Sequence, residues 1–360
     1  MNADALSNLL DPAVLFFLLG LVAGAVRSNL EIPPQVAKFL SLYLLMAIGF
    51  KGGQELSSTG LGIEGLKVVA IALVLALVIP AIGFLVLRRK VEQLDAAAIA
   101  ATYGSVSAVT FVAASNFVAS NGTPAGGYLT VSLVLMESPA IIMAVVLASW
   151  VRLRQSGADA SVQPAAATAG ARSASGDASG STLVEARPDA SGSSEHRFSA
   201  GSVLREAFTN GANVLLLGSL AIGFLSGATG GEVMKPFTND LFKGLLAFFL
   251  LEMGLLVARQ LREVRDVGPF LVGFGLVMPL VGATLAMLLG GLAGLTVGDL
   301  TVLAVLAASA SYIVVPAVVR FAIPEARPSR YLTMALAITF PFNIVVGIPL
   351  YYAVAEAVAR

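Results

Sequence analysis

The sequence predicts an all-α integral membrane protein of ten transmembrane helices, arranged as two inverted repeats of five. Three observations support this fold class. Apolar residues make up 57% of the 360 residues and charged residues only 12%, with a mean hydropathy of +0.87, which exceeds what a soluble domain can bury. Apolar runs long enough to cross a bilayer recur along the chain. The second group of runs repeats the pattern of the first.

Ten apolar runs of roughly 17 to 25 residues, the length that crosses about 30 Å of hydrocarbon, can be placed along the chain. No basic segment precedes the first run, so we interpret it as a membrane helix and not as a cleaved signal. The ten predicted spans cover residues 12–28, 34–50, 66–87, 95–119, 126–150, 209–227, 237–258, 269–292, 299–321 and 329–357.

Residues 152–203 differ sharply from the spans on either side. They are rich in Ala, Ser, Gly, Asp and Arg and contain almost no large apolar side chains. Such a segment cannot bury enough apolar surface to offset the entropy lost on ordering, so it is predicted to be a disordered linker. The chain therefore divides into a first repeat at residues 1–151, the linker, and a second repeat at residues 204–360.

The two repeats correspond in detail. Residues 49–56 match 254–261, residues 104–107 match 308–311, residues 128–130 match 331–333, and Pro139 matches Pro341. Five spans are an odd number, so the second repeat enters the membrane in the opposite orientation to the first. Basic residues are concentrated in the loops on the side of the linker, which predicts a cytoplasmic linker with both termini outside.

The middles of spans four and nine are unusual because they are small and hydroxylated. Gly and Pro there open the backbone hydrogen-bond ladder, and inversion brings two half-helix N-termini toward one point near the midplane. Positive dipole ends suit a small anion, and freed carbonyls and hydroxyls suit Na⁺. The alternative is that these residues only permit close helix packing. The candidate substrate ligands are Gly104, Ser105, Ser107, Thr110, Ser309, Ser311 and Tyr312.

Glu137 lies near the centre of span five, where an isolated carboxylate facing lipid is costly. It therefore faces a cavity, a partner or an ion, and the sequence does not choose among these. Together with Thr110 and Ser107 it forms the candidate Na⁺ site. Asp95 and Asp299 occupy matching starts of spans four and nine, where we expect them to cap the helices.

Composition excludes several other functions. The chain has no cysteine and one histidine, so thiolate chemistry and imidazole metal cages are excluded, and we expect no enzymatic activity and no cofactor. Acidic and basic residues balance at 22 each, which gives no overall field to attract nucleic acid.

Ser115 and Asn116 follow the break in span four. They either line a path or bond to the backbone.

Several of these motifs together resemble the cyanobacterial-type sodium-dependent bicarbonate permeases. The resemblance covers nearly the whole chain apart from the linker, and it is carried by residues 32–34, 48–53, 104–110, 136–140 and 242–246. It implies a core domain carrying spans four and nine, a gate domain, a homotrimer in the bacterial inner (plasma) membrane, and Na⁺-driven uptake of bicarbonate. It also implies a PII-like cytoplasmic regulator. The matching site positions are Gly104, Ser105, Ser107, Thr110, Glu137, Ser309 and Ser311.

Two positions depart from the pattern of this family. Tyr312 stands where the family has an aspartate, and Val109 stands where it has a second serine. Loss of these oxygen ligands weakens a Na⁺ site. Two alternatives therefore stand beside bicarbonate uptake: a transporter of the same fold that carries another small carboxylate or is coupled to H⁺, and a non-transporting membrane receptor or scaffold that binds a regulatory protein.

Overall fold

The computed structural model describes residues 11–160 and 211–359, and every regular element in these two stretches is a helix. Seven helices are long and apolar enough to cross a membrane, namely Pro34–Ser58, Gly62–Leu87, Gln93–Ser120, Tyr128–Leu153, Val214–Gln260, Pro269–Leu292 and Pro328–Val358. Two shorter apolar helices are Pro12–Ala25 and Val297–Ala308. The protein is therefore a multi-pass, all-α membrane protein.

The first half of the described chain contains six helices: α1 (Pro12–Ala25), α2 (Pro34–Thr59), α3 (Gly62–Leu87), α4 (Gln93–Gly104), α5 (Ala108–Ser120) and α6 (Tyr128–Ala160). Local chemistry explains where α1 begins. The Asp11 carboxylate accepts a hydrogen bond from the Ala13 amide and caps α1. Helix α6 continues into the predicted linker as far as Ala160, and the rest of that linker lies outside the described residues.

The second half begins with α7 (Gly211–Lys235), a π-helical turn (Pro236–Asp240), α8 (Leu241–Gln260), α9 (Val264–Val267), α10 (Pro269–Leu292), α11 (Val297–Ala308) and α12 (Val314–Ala322). Its last segment comprises α13 (Pro328–Thr333), a π-helical turn (Met334–Thr339), α14 (Phe340–Phe342), a second such turn (Asn343–Gly347) and α15 (Ile348–Val358). Gly227 interrupts α7 with a φ of 53°.

Helix α1 packs along α8, and α2 packs along α7. Both pairs are close because glycine lies at the contact. A Cβ atom added to Gly53 or Gly223 would collide with a backbone carbonyl of the opposite helix in the α2–α7 pair. The same is true of Gly20 and Gly254 in the α1–α8 pair. Small residues thus replace side-chain packing by backbone-to-backbone contact, as is common between membrane helices.

The remaining helices form a second group around α4 and α11. Helix α4 packs against α3 and α6, while α11 packs against α5, α10 and α15. Every residue from Asp95 to Gly104 and from Gly298 to Ala308 is buried. These two helices therefore lie in the interior of the protein, and both end inside it.

Candidate functional site

The two interrupted helices meet where they break. Helix α4 ends at Gly104 and α5 begins at Ala108, while α11 ends at Ala308 and α12 begins at Val314. The Ser107 amide donates a hydrogen bond of 3.0 Å to Ser309 Oγ. In return, the Ser311 amide donates one of 2.9 Å to the Thr102 carbonyl. The predicted breaks in spans four and nine are therefore present, and they contact each other directly.

Hydroxyl side chains stabilise both breaks. Ser107 caps α5, because its Oγ accepts hydrogen bonds from the Thr110 amide at 3.2 Å and from Thr110 Oγ1 at 2.8 Å. Ser311 Oγ accepts a hydrogen bond of 3.3 Å from the Val315 amide near the start of α12. Ser309 Oγ donates to the Leu306 carbonyl at 2.9 Å. The structure thus brings together Ser107, Thr110, Ser309 and Ser311.

Two buried hydroxyls beside these breaks have no hydrogen-bond partner among the described residues. They are Ser105 Oγ and Tyr312 Oη, and within residues 11–160 and 211–359 the only other such atom is the hydroxyl of Tyr331. The Tyr312 ring packs edge-on against Phe340 with centroids 5.8 Å apart. Its hydroxyl lies near that of Ser107 but does not form a hydrogen bond of ordinary geometry. A buried hydroxyl without a partner is costly, so both positions are suited to a ligand.

Gly104 and Tyr103 have packing roles. A Cβ atom at Gly104 would collide with the Pro80 ring of α3, so a glycine is required for the end of α4 to fit there. The Tyr103 hydroxyl lies 2.6 Å from Thr339 Oγ1, and its ring packs on Phe274. The Tyr103 phenol is therefore already engaged, whereas that of Tyr312 is not.

Glu137 is buried in α6, with 7% of its surface exposed. Helix α6 packs against α4 and α12, which places this carboxylate in the same group of helices as the breaks. The hydrogen bonds of Ser107 and Thr110 do not include it. Of the three candidate Na⁺ ligands, the structure therefore joins Ser107 to Thr110 but does not join either to Glu137.

Asn343 was not predicted as a site residue, although it contacts a break directly. Its Nδ2 donates a hydrogen bond of 2.8 Å to the carbonyl of Ala308, the last residue of α11, and its Oδ1 accepts one of 3.1 Å from Tyr351. Asn343 begins a π-helical turn, a feature that is frequent at functional sites. The available sequence signal was the neighbouring Pro341, which matches Pro139 in the first repeat.

Asp95 and Asp299 lie in the first turns of α4 and α11, as predicted. Asp299 takes part in the cap of α11, because its Oδ2 accepts a hydrogen bond of 2.8 Å from the hydroxyl of Thr296, the N-cap residue. Asp95 forms no such bond within α4. Asp95 accepts hydrogen bonds from the Arg327 amide at 2.8 Å and from the Arg330 guanidinium at 2.6 Å. Asp299 accepts from the Gly126 amide at 2.8 Å and from the Tyr128 hydroxyl at 2.6 Å. Each carboxylate is therefore bound to the segment that precedes a helix of the opposite half of the chain. The expected capping was wrong for Asp95, because distant donors occupy its carboxylate oxygens, whereas Asp299 combines its part in the cap with the distant bonds.

Ser115 and Asn116 line a cavity between α2, α5, α6 and α8. Neither side chain forms a hydrogen bond to the backbone of the described residues, so of the two predicted alternatives backbone bonding is not observed. Phe111, which follows Thr110 in α5, lines the same cavity. The cavity therefore borders the breaks.

A many-helix membrane protein in which two interrupted helices cross at buried hydroxyls has the architecture of a transport protein. The chain belongs to the Na⁺-dependent bicarbonate transporter superfamily, since the model of that family matches residues 12–356. The resemblance noted in the sequence is thereby confirmed. No individually curated protein matched the chain.

Proposed function

We propose that the protein takes up bicarbonate together with Na⁺ by alternating access, with its site where the two breaks cross. Family membership supports bicarbonate and Na⁺ as the pair carried. The assignment of the site rests on one observation. The hydroxyls of Ser105 and Tyr312 are buried without a hydrogen-bond partner among the described residues, and they lie beside the start of α5, which Ser107 caps. A helix N-terminus with free hydroxyl donors is suited to a small oxyanion.

Na⁺ is the second substrate in this proposal. Its preferred ligands are oxygens, and the breaks offer the hydroxyls of Ser107 and Thr110. The buried Glu137 carboxylate supplies negative charge from the adjacent α6 and completes the proposed cation site. Binding of Na⁺ near a small anion lowers the electrostatic penalty of placing either charge at membrane depth.

The proposed architecture is ten spans in a 5+5 inverted repeat. The long candidate span Val214–Gln260 then represents two spans separated near Gly227, and α1 and the α11–α12 pair supply the remaining two. The reciprocal packing of α1 with α8 and of α2 with α7 supports the repeat, because exchange of the halves converts one pair into the other. These four helices form the proposed gate, and the remaining helices form the core.

We further propose that the first repeat covers residues 1–151, the cytoplasmic linker residues 152–203 and the second repeat residues 204–360. In this proposal the protein lies in a bacterial inner membrane with both termini outside. The basic loops support the orientation. A homotrimer and a PII-like regulator are supported by the family resemblance only.

The proposed function is tested by uptake of labelled bicarbonate into proteoliposomes with and without an inward Na⁺ gradient. We expect Na⁺-dependent uptake, and we expect the Ser107→Ala, Ser311→Ala double variant to lose at least about 90% of it, because two ligand hydroxyls are removed. Ser226→Ala is the matched control, since that hydroxyl is exposed and bonds to its own helix at Ile222. An uptake rate that is equal for the double variant and the control would refute the site.

A second candidate function is H⁺-coupled transport, or transport of another small carboxylate. It is favoured by Tyr312, which stands where the related permeases have an acid. Replacing the Na⁺ gradient by a pH gradient separates the two candidates. Uptake driven by the pH gradient alone supports the second. A protein whose thermal stability does not respond to NaCl, bicarbonate or other small anions would instead be a non-transporting receptor or scaffold.

A further inference from the structure

A cavity lined by both apolar and polar side chains lies beside the breaks, on the side of the protein where α2 ends. It has a volume of about 130 Å³, which is room for several water molecules. Helices α2, α5, α6 and α8 contribute to its wall, so it lies between the proposed gate and the proposed core. Its polar lining includes Lys51, Glu55, Ser115, Asn116 and Thr130.

Lys51 is a half-buried cation without a counter-ion at contact distance. Its Nζ lies 5.1 Å from the centroid of the Phe242 ring, and it forms no hydrogen bond and no ion pair with the described residues. Glu55, one turn further along α2, and Lys243 act on it only through longer-range electrostatics. An ammonium group in this position retains its ability to bind an anion.

Three further polar side chains line the cavity with unused hydrogen-bonding capacity. The side chains of Ser115, Asn116 and Thr130 form no hydrogen bonds with the described residues. They lie on α5 and α6, whereas Lys51 lies on α2. The cavity is also lined by the Glu55 carboxylate, so the ammonium of Lys51 and these neutral groups form the part of the cavity that is suited to an oxyanion.

The position of the cavity connects it to the breaks. Phe111 lines it, is 3% exposed, and directly follows Thr110, which bonds to Ser107. On its other side, Glu55, Pro124, Ala125 and Gly126 are shared with a wider cavity of about 580 Å³, whose lining also includes the carboxylates of Glu64 and Asp299. An anion that passes these carboxylates would reach the Lys51 ammonium before it reaches the breaks.

We propose that this cavity is a second anion-binding site, distinct from the breaks, which holds a small oxyanion such as bicarbonate on its way to them. Lys51 is the counter-ion, and Ser115, Asn116 and Thr130 are the hydrogen-bonding partners. This inference rests on the proposed function in one respect, namely that the protein carries a small anion.

The test uses the absence of native cysteine. Lys51→Cys introduces a single thiol. We expect the KM of this variant for bicarbonate uptake to rise roughly five- to ten-fold with little change in maximal rate, because a charge-assisted contact with the anion is lost. Modification with 2-aminoethyl methanethiosulfonate restores the ammonium and returns KM toward the unmodified value. The 2-sulfonatoethyl reagent adds negative charge and raises KM further. Lys67→Cys, at an exposed position on α3, is the control and should show neither effect.

A second measurement needs no transport. Bicarbonate, formate or nitrate should slow labelling of the Lys51→Cys thiol in detergent but should not slow labelling of Lys67→Cys. Protection by one of these anions in a protein that takes up no bicarbonate would refute the proposed function and leave this site standing. No protection by any of them, or an equal effect of the two reagents on KM, would overturn the site. Should Lys51→Cys fail to assemble, Asn116→Ala decides: a KM increase of about three-fold supports the site, and an unchanged KM refutes it.

Discussion

At the scale of single residues, the feature that separates ligand positions from structural positions is whether a buried hydroxyl already has a partner. Tyr103 and Tyr312 both flank the breaks, but Tyr103 is bonded to Thr339 and Tyr312 is not. Burial without a hydrogen bond is unfavourable in the free protein. Tyr312 is therefore a ligand of the proposed binding site, whereas Tyr103 has a structural role.

Tyr312→Phe removes the unpartnered hydroxyl and keeps the ring against Phe340. We expect kcat/KM for uptake to fall about ten-fold, as for loss of one hydrogen bond to a charged ligand, while the apparent melting temperature does not decrease. Tyr103→Phe is the control. It loses a hydrogen bond within the protein and should lower stability by about 1 kcal/mol. Unchanged uptake by Tyr312→Phe would exclude this hydroxyl as a ligand.

At the scale of helices, two devices position the interrupted segments. Glycines bring α2 against α7 and α1 against α8, and they form the rigid pairs of the proposed gate. Within the other group, Asp95 and Asp299 tie the first turns of α4 and α11 to the opposite half of the chain. The crossing of the breaks therefore depends on contacts at the far ends of the same helices.

Gly223→Ala tests the glycine contact. A methyl group there would collide with the Phe50 carbonyl of α2, so we expect a loss of stability of about 3 kcal/mol or failure to assemble. Gly218→Ala, on the same helix, meets no atom within 4 Å, and it should be neutral or stabilise by up to about 1 kcal/mol. Thermal unfolding in detergent measures both. Equal stabilities of the two variants would contradict this account of the pair.

Asp95→Asn tests the carboxylate tie. Its side chain is 3% exposed and pairs with Arg330 at 2.6 Å, so removal of the charge should destabilise the protein by about 3 kcal/mol. Glu92→Gln is the matched control, because its ion pair with Arg327 is 3.9 Å long and more than half exposed on both sides. That change should stay within about 0.5 kcal/mol. If Glu92→Gln lost as much stability as Asp95→Asn, burial of the Asp95–Arg330 ion pair would be shown to be unimportant.

At the scale of the whole molecule, cavities separate the two groups of helices. One cavity is lined by Ala113 of α5 together with Leu250 of α8, and another contains Lys51. Movement of one group against the other changes these spaces and leaves the packed helix pairs intact. The packing is dense within the helix pairs and loose at the cavities between the two groups. This distribution is consistent with alternating access by rigid-body motion of one group against the other.

A cross-link across the first of these cavities should stop transport. We expect the Ala113→Cys, Leu250→Cys pair, joined by a bifunctional thiol reagent, to lose uptake and to regain it when the link is cleaved. The control is the Gln54→Cys, Gly231→Cys double variant, in which the two cysteines lie at a contact between α2 and α7. Both helices belong to the same group, so uptake by this variant should persist with the link in place. Full uptake with the first link in place would contradict relative motion of the two groups.

The sequence by itself determined the all-α membrane class, the family and the two breaks, because hydrophobic length and the positions of Gly, Ser and Pro are local properties. Ser107 and Ser311 were predicted from such local signals, and the structure brings their breaks together.

Only the tertiary structure decided which polar groups are already satisfied. Asn343 bonds to Ala308 across 35 residues of sequence, Asp95 bonds to Arg330 across 235, and Lys51 and Asn116 line the same cavity from different helices. Hydrogen bonds and cavities of this kind depend on which helices become neighbours, and helix periodicity carries no information about that. The partners of Asp95, the availability of Tyr312 and the proposed entry site at Lys51 therefore emerge only when the two halves of the chain are packed together.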